Sequence, residues 1–236
     1  MTTILAIDTA TDACSVALYR DGEYSEIYEV IPRQHSQRLI PMLQELLPSG
    51  DLRSLGIDAI AYGSGPGSFT GLRIAASAVQ GLAFANDLPT IPVSTLACQA
   101  QTAYRQGRVR SGDQVLSVLD AKINEIYWSV ACIEDGVAVE ESPAAVCAPA
   151  DILVGAHFEF LAAVGSGLKY LEAMPEELRT RLRSTAVEVL PSARDLIPLA
   201  VAAYSRGETW RADEVAPVYV REEISWKKLA EQGKKP

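Results

Sequence analysis

A glycine-rich stretch, residues 63–75, holds the residue types best suited to chemistry. Four glycines and one proline precede an apolar segment that continues as a helical pattern. Glycine lets backbone N–H groups approach an anion, and the first turn of a helix carries unpaired N–H groups with partial positive charge. The composition therefore suits a phosphate-binding loop.

Two standard phosphate-binding motifs do not fit this stretch. A Walker loop places Lys and then Ser or Thr after its last glycine, whereas Leu72 and Arg73 follow Gly71. The Rossmann spacing Gly-x-Gly-x-x-Gly is not met in this register either. Two interpretations stay open, a phosphate site of another type and a strand-to-helix turn that binds no ligand.

Other residues that could act in catalysis are few. Two histidines, His35 and His157, are far apart in the sequence and disfavour a histidine-based metal enzyme. A peptidase would need a Gly-x-Ser-x-Gly elbow or a His-Glu-x-x-His helix, and the sequence has neither. Asp8, at the end of the first apolar run, could position a metal-bound nucleotide, but we favour an ordinary turn role for it.

Composition narrows the class of protein. The chain has 236 residues, a net charge of -9 and a pI near 4.8, so binding to nucleic acid without a partner is disfavoured. Four separated cysteines without a Cys-x-x-Cys pair indicate buried, reduced thiols. Because we find no export signal and no apolar run of about 20 residues, we expect a cytoplasmic protein.

The chain reads as two similar halves. An apolar run ends at Asp8 before a second strand, and the same order recurs around Asp120. Gly63–Gly65 and Gly165–Gly167 each follow a short apolar run in the same sequence, Gly-Ser-Gly. This repetition predicts a duplicated α/β fold with mixed sheets flanked by helices and a cleft between the halves.

We assign residues 1–105 to the first half and residues 106–221 to the second. A helix near 192–206 is expected to pack back on the first half, and 222–236 is expected to be a mobile tail. Ser36–Leu47 has the spacing of an amphipathic helix. Leu72–Phe84 carries almost no charge, so it is covered either by this chain alone or by a partner protein.

The duplicated hairpins and glycine loop resemble the actin-like ATPase superfamily with its RNase H-like halves, and within it the TsaB family, formerly called YeaZ. The resemblance extends from residue 4 to about residue 221. Five segments carry it: Ile4–Leu18, His35–Ser36 with Leu39 and Pro41, Gly65–Ile74, Asp120–Lys122 with Glu125–Tyr127, and Pro217–Arg221.

The resemblance implies an accessory role without catalytic residues. TsaB proteins bind and activate TsaD, which transfers a threonylcarbamoyl group to the adenosine beside the anticodon of tRNA. It also implies contact with TsaE and with tRNA only through the complex, and homodimers are known in the family. The alternative is an enzyme in its own right, an actin-like nucleotide hydrolase with weak ATPase activity or a peptidase-like protein.

The resemblance also implies roles for particular residues. An inherited nucleotide-site frame would comprise Asp8, Gly65, Gly67, Ser68, Gly71, Gly165 and Gly167. The partner surface would comprise Leu39, Leu43, Leu72, Arg73, Ala76, Val79 and Gln80. Thr95 and Gln99 stand where TsaD has its two metal-binding histidines, so we expect no metal and no cofactor, and leave weak nucleotide binding open.

Overall fold

The computed structural model describes residues 2–48, 50 and 52–221, and these form two β-sheets with helices between and around them. The predicted tail, 222–236, lies outside the described residues. The helices in the described part of the chain lack the length or the apolar character needed to cross a membrane.

The first half opens with three antiparallel strands. Its elements are β1 (Ile4–Asp8), β2 (Ala13–Arg20), β3 (Glu23–Val30), α1 (His35–Leu46), β4 (Ala59–Gly65), α2 (Phe69–Asn86), β5 (Thr90–Ser94) and α3 (Thr95–Arg105). The sheet order is β3-β2-β1-β4-β5, and β4 and β5 run parallel to β1.

The second half repeats this arrangement. Its elements are β6 (Gln114–Lys122), β7 (Glu125–Glu134), β8 (Val137–Glu140), β9 (Ala145–Cys147), β10 (Leu161–Val164), α4 (Glu176–Arg181), β11 (Leu182–Ala186) and α5 (Ala193–Ser205). The order β8-β7-β6-β10-β11 again places three antiparallel strands beside two parallel ones. The predicted duplication and fold class are therefore confirmed.

Helices cover both faces of the first sheet. On one face, α1 and α2 bury Leu39, Met42 and Val79 against Ile60. On the other, α5 buries Leu196 and neighbouring apolar residues against β1 and β4. Because helices cover both faces, β1 is fully buried, and its residues are apolar except for Asp8 at its end.

The layer between the sheets consists of α3 and α5. The α3 residues Ala100 and Ala103 pack on the second sheet, while Cys98 packs with α5. Arg105 donates from Nε and Nη2 to the two carboxylate oxygens of Asp195 at 2.7 and 2.8 Å. This bidentate ion pair joins α3 to α5, and the carboxylate of Asp195 is buried.

Candidate functional site

A cleft of about 1540 Å³ lies where the two halves face each other. Its walls include the β1–β2 turn, the β6–β7 turn and the glycine loop before α2. Residues 218–221, called the C-terminal segment below, complete them. In a duplicated α/β protein with this strand order, the ends of the parallel strands and the turns beside them are the usual place for a ligand.

The glycine loop is packed against the first hairpin turn. Ser68 N–H donates to the Ala10 carbonyl at 2.7 Å, and Thr9 Oγ1 donates to the Gly71 carbonyl at 2.7 Å. A Cβ atom at Gly67 would lie 2.4 Å from the Ala10 carbonyl oxygen, and one at Gly71 would lie 2.0 Å from that of Thr9. These glycines are thus required by contact between two main-chain segments.

The third glycine of the loop meets the C-terminal segment. Gly65 has a φ of +128°, and a Cβ there would lie 2.5 Å from the Val218 carbonyl oxygen. Val218 N–H in turn donates to the Ser64 carbonyl at 2.7 Å. At all three glycines the atom nearest to the Cβ position is a main-chain carbonyl oxygen, so close packing leaves no room for a side chain there.

The glycines of the second half are also required by close packing. A Cβ at Gly165 would lie 2.4 Å from the Val118 carbonyl oxygen and 2.3 Å from Gln99 Nε2, and one at Gly167 would lie 2.4 Å from Val118 Cγ1. Asp120 N–H donates to Ser166 Oγ at 3.1 Å, which joins the second hairpin to this loop. Both predicted Gly-Ser-Gly segments therefore fit closely against a neighbouring strand.

Asp8 lies beneath the first loop and is fully buried. Its Oδ1 accepts a hydrogen bond from Ala10 N–H at 3.2 Å, which is the geometry of a turn-forming aspartate. Its Oδ2 faces Gly63, where a Cβ would lie 2.0 Å away, and has no hydrogen-bond partner among the described residues. Burial raises the pKa of Asp8 to about 6, against the lowering effect of the Ala10 hydrogen bond.

The matching aspartate of the second half has a different environment. Asp120 Oδ2 accepts from Lys122 Nζ at 2.8 Å and from Lys169 Nζ at 2.7 Å, on the wall of the cleft. Burial alone would raise the pKa of Asp120, but the hydrogen bonds from Lys122 and Lys169 outweigh burial and hold it below its ordinary value. The two equivalent carboxylates have therefore diverged, one unpaired and one paired with two lysines.

Thr95 and Gln99, predicted from the resemblance to stand at the metal-ligand positions of TsaD, are buried on α3 one turn apart. Gln99 Nε2 donates to the Val189 carbonyl at 2.8 Å, while Thr95 Oγ1 and Gln99 Oε1 have no partner among the described residues. Within residues 2–48, 50 and 52–221 there is no group of three His, Cys, Asp or Glu side chains arranged for a metal. The absence of a metal and a cofactor stays a prediction.

Neither histidine lies in an arrangement typical of a catalytic base. His35 is buried, and its Nε2 lies 3.2 Å from the Ala13 carbonyl oxygen, while His157 packs on the Phe158 ring. All four cysteines are free thiols. Cys14 and Cys98 are buried as predicted, but Cys132 and Cys147 are only partly buried, Cys147 on the three-residue strand β9.

The predicted partner residues fall into an exposed and a buried group. Arg73 and Gln80 are exposed, although Arg73 Nε donates to Tyr219 Oη at 3.0 Å and Gln80 Nε2 to the Ala212 carbonyl at 3.3 Å. The others are buried in this chain's own core: Leu39, Leu43, Leu72, Ala76 and Val79. Their helical spacing marks a stripe that packs inside this chain, and the partner surface stays a prediction.

The outer face of α2 lies opposite that stripe. Ser77, Gly81 and Phe84 are exposed on it, and Phe84 exposes 81% of its surface. On α1, Ile40 is exposed in the same way. Sequence reasoning proposed Gly81 as a small residue facing a partner helix but did not assign Ser77 or Phe84 to the partner surface, although the spacing of 77, 81 and 84 separates them from the core stripe.

Comparisons with known proteins agree with one another. The TsaB protein of Escherichia coli (strain K12), a tRNA threonylcarbamoyladenosine biosynthesis protein, is 40% identical over 231 residues, covering 96% of this chain and 97% of the relative. The TsaB protein of Haemophilus influenzae is 37% identical over 235 residues, with 96% and 97% covered.

A family model and a solved structure extend these matches. The model described as "TsaD: tRNA N6-adenosine threonylcarbamoyltransferase" matches residues 24–192. The structure of YeaZ from Pseudomonas aeruginosa is 42% identical and superposes with a TM-score of 0.85, covering 93% of this chain and all of that one. A second structure, of a protein described as similar to peptidase YEAZ from Pseudomonas aeruginosa, gives the same identity and TM-score.

We expect Gly71→Ala to lower the free energy of unfolding by about 2–4 kcal/mol, because the new Cβ meets the Thr9 carbonyl. Gly81→Ala is the matched control on the same helix, since no atom lies within 4 Å of its Cβ position. This control should gain roughly 0.5–1 kcal/mol. Urea denaturation of both variants checks the pair, and equal stability would contradict the packing role of Gly71.

Asp8 should make the protein less stable as pH rises. Because its pKa is raised from 3.8 to about 6, the folded state holds the proton more tightly than the unfolded state. The stability present below about pH 4 is lost as pH rises through 6, a difference of about 3 kcal/mol. Asp8→Asn should therefore gain stability relative to wild type between about pH 4 and 7.

The control is Asp120→Asn. Its effect on the pH dependence of stability should have the opposite sign, because the pKa of Asp120 is lowered. Relative to wild type, this variant should be less stable at neutral pH, and its deficit should shrink as pH falls below about 4. Thermal denaturation from about pH 2 to 8 measures the stability of both variants and of wild type. Parallel curves for wild type and Asp8→Asn would show that Asp8 titrates normally.

Proposed function

We propose, because the chain belongs to the TsaB (YeaZ) family, that it serves the biosynthesis of threonylcarbamoyladenosine in tRNA. Its role in this proposal is that of a subunit that binds TsaD and activates threonylcarbamoyl transfer, without catalysing the transfer itself. TsaE and tRNA would meet this chain within the assembled complex, and a homodimer would be an alternative state of the free subunit.

The close packing of the glycine loop against two main-chain segments is the observation that carries this proposal. A nucleotide hydrolase of this fold needs N–H groups open to phosphate and a carboxylate that can reach a bound metal. Here the carbonyls of Thr9, Ala10 and Val218 approach the loop, and Asp8 is buried beneath it. These contacts favour a loop whose shape serves packing. The result of that packing is that α2 is held in a fixed position.

The outer face of α2 supports a partner role. Phe84 is a large apolar side chain in open solvent, and Ser77 and Gly81 leave little side-chain bulk beside it. Such a face allows a second helix to approach closely and to bury an aromatic anchor. The matched TsaD family model covers α1 and α2, so TsaD would present equivalent helices to this face.

The accessory role predicts a clear result in a reconstituted reaction. Purified TsaD, TsaE and the enzyme that forms threonylcarbamoyl-adenylate should modify tRNA at least about tenfold faster with this chain than without it. The isolated chain should show no ATP turnover. The contrary result is ATP hydrolysis by the chain alone that Asp8→Ala abolishes, which would favour the hydrolase alternative.

Phe84→Ala should weaken binding to TsaD by about tenfold or more, since exposed aromatic anchors dominate interface energies. Leu153→Ala is the matched control, because Leu153 is 83% exposed and lies in the second half, away from α2. Both variants should keep wild-type stability. Calorimetric titration with TsaD measures the affinities, and equal losses in both variants would exclude the outer face of α2 as the contact.

A further inference from the structure

We infer that the tip of the second hairpin, Lys122–Asn124, anchors an acidic segment of a partner protein that lies along the mouth of the cleft. The inference rests on the proposed function, because TsaD is the partner used to test it. It adds a second contact region, on the second half, to the α2 face of the first half.

The turn at the tip contains Ile123, a residue type that is unfavourable in the backbone conformation found there. Lys122 pairs with Glu125 across the two residues Ile123 and Asn124, whose φ angles are +54° and +58°. Positive φ at both central residues is the pattern of a type I′ turn, which favours Asn or Asp followed by Gly. A β-branched residue such as Ile123 is a rare outlier at this φ.

Ile123 is also placed where the fold gains little from it. Its side chain is 77% exposed, so burial within this chain does not offset the strained backbone. An unfavourable conformation combined with an exposed apolar side chain is common at functional sites and rare elsewhere. This combination points to an external contact for Ile123.

Neighbouring contacts hold the tip in position. Asp120 Oδ1 accepts from Lys122 N–H at 3.1 Å, and Arg221 Nη2 donates to the Ala121 carbonyl at 3.3 Å and pairs with Glu125. The tip is therefore fixed both to the second sheet and to the C-terminal segment. A preorganised contact of this kind loses little conformational entropy when a partner binds.

The charge of the cleft indicates the chemistry of the partner. Among the described residues that line it, Arg33, Lys122, Lys169 and Arg221 are cationic and Asp12 and Asp120 are anionic. Counting also Glu125, which pairs with Arg221 at the tip, the local charge is +1 and contrasts with -9 for the whole chain, so an acidic segment is repelled less here than from most of the remaining surface.

A polypeptide fits this mouth better than a phosphate or nucleic acid. Ile123 offers an exposed aliphatic contact that suits an apolar side chain, and the net charge of -9 disfavours a nucleic acid. Phe69 and Tyr219, whose ring centroids are 5.5 Å apart, add two partly exposed aromatic rings on the same cleft. An acidic segment of the partner could place its carboxylates beside the cationic side chains of the cleft. An apolar side chain of the same segment would then contact Ile123 or these two rings.

The test substitutes the strained residue in the full-length chain. Ile123→Asn should raise the melting temperature by about 2–4 °C, because asparagine tolerates this turn position. The same variant should bind purified TsaD about tenfold more weakly. Asn124→Gly is the matched control, since it also favours the turn but keeps Ile123, and its affinity should equal that of wild type.

A photo-reactive amino acid at position 123 identifies what the tip touches. A crosslink to an acidic segment of TsaD, together with the affinity loss, supports the inference. A crosslink to residues 222–236 of the same chain or to tRNA overturns it, as does wild-type affinity in Ile123→Asn. If wild type itself forms no complex with TsaD, the proposed function fails as well, whereas normal complex formation with an unaffected Ile123→Asn overturns this inference alone.

Discussion

The contact between two main-chain segments, made possible by glycine, is the constraint on which this structure depends. The carbonyls of Thr9 and Ala10 occupy the space that side chains at Gly71 and Gly67 would need. Because the distances are well below van der Waals contact for a Cβ, the first hairpin turn and the start of α2 can meet only with glycine at these positions. This contact therefore sets where α2 begins.

The C-terminal segment extends this constraint across the molecule. Val218 pairs with the end of β4, Tyr219 contacts Arg73 at the start of α2, and Arg221 reaches the second hairpin. The same segment therefore contacts the glycine loop, the helix proposed to bind TsaD and the tip proposed to bind an acidic segment. Any change in the spacing of the two halves must alter at least one of these contacts.

Much of the fold could be predicted from the sequence, because the repeated hairpins and Gly-Ser-Gly segments indicate two similar halves and the apolar spacing indicates α1, α2 and α5. The exposed side of α2 could not be predicted in this way. Its helix carries small or apolar residues all round, so charge does not distinguish the core stripe from the outer face. The close packing of the glycine loop and the strained Ile123 depend on pairings between distant residues, such as Thr9 with Gly71 and Arg221 with Ala121, which local pattern does not reveal.

The outer position of β3 in the first sheet has a consequence for solubility. Among the described strands it pairs only with β2, so the N–H and C=O groups on its other edge could template a neighbouring molecule. Two glutamates of this strand are held by helices of the same chain, Glu29 by Arg38 of α1 and Glu26 by Ser192 at the start of α5. Carboxylates along an edge strand oppose its pairing with a second copy, so the charged side chains that join β3 to its own helices also protect its edge.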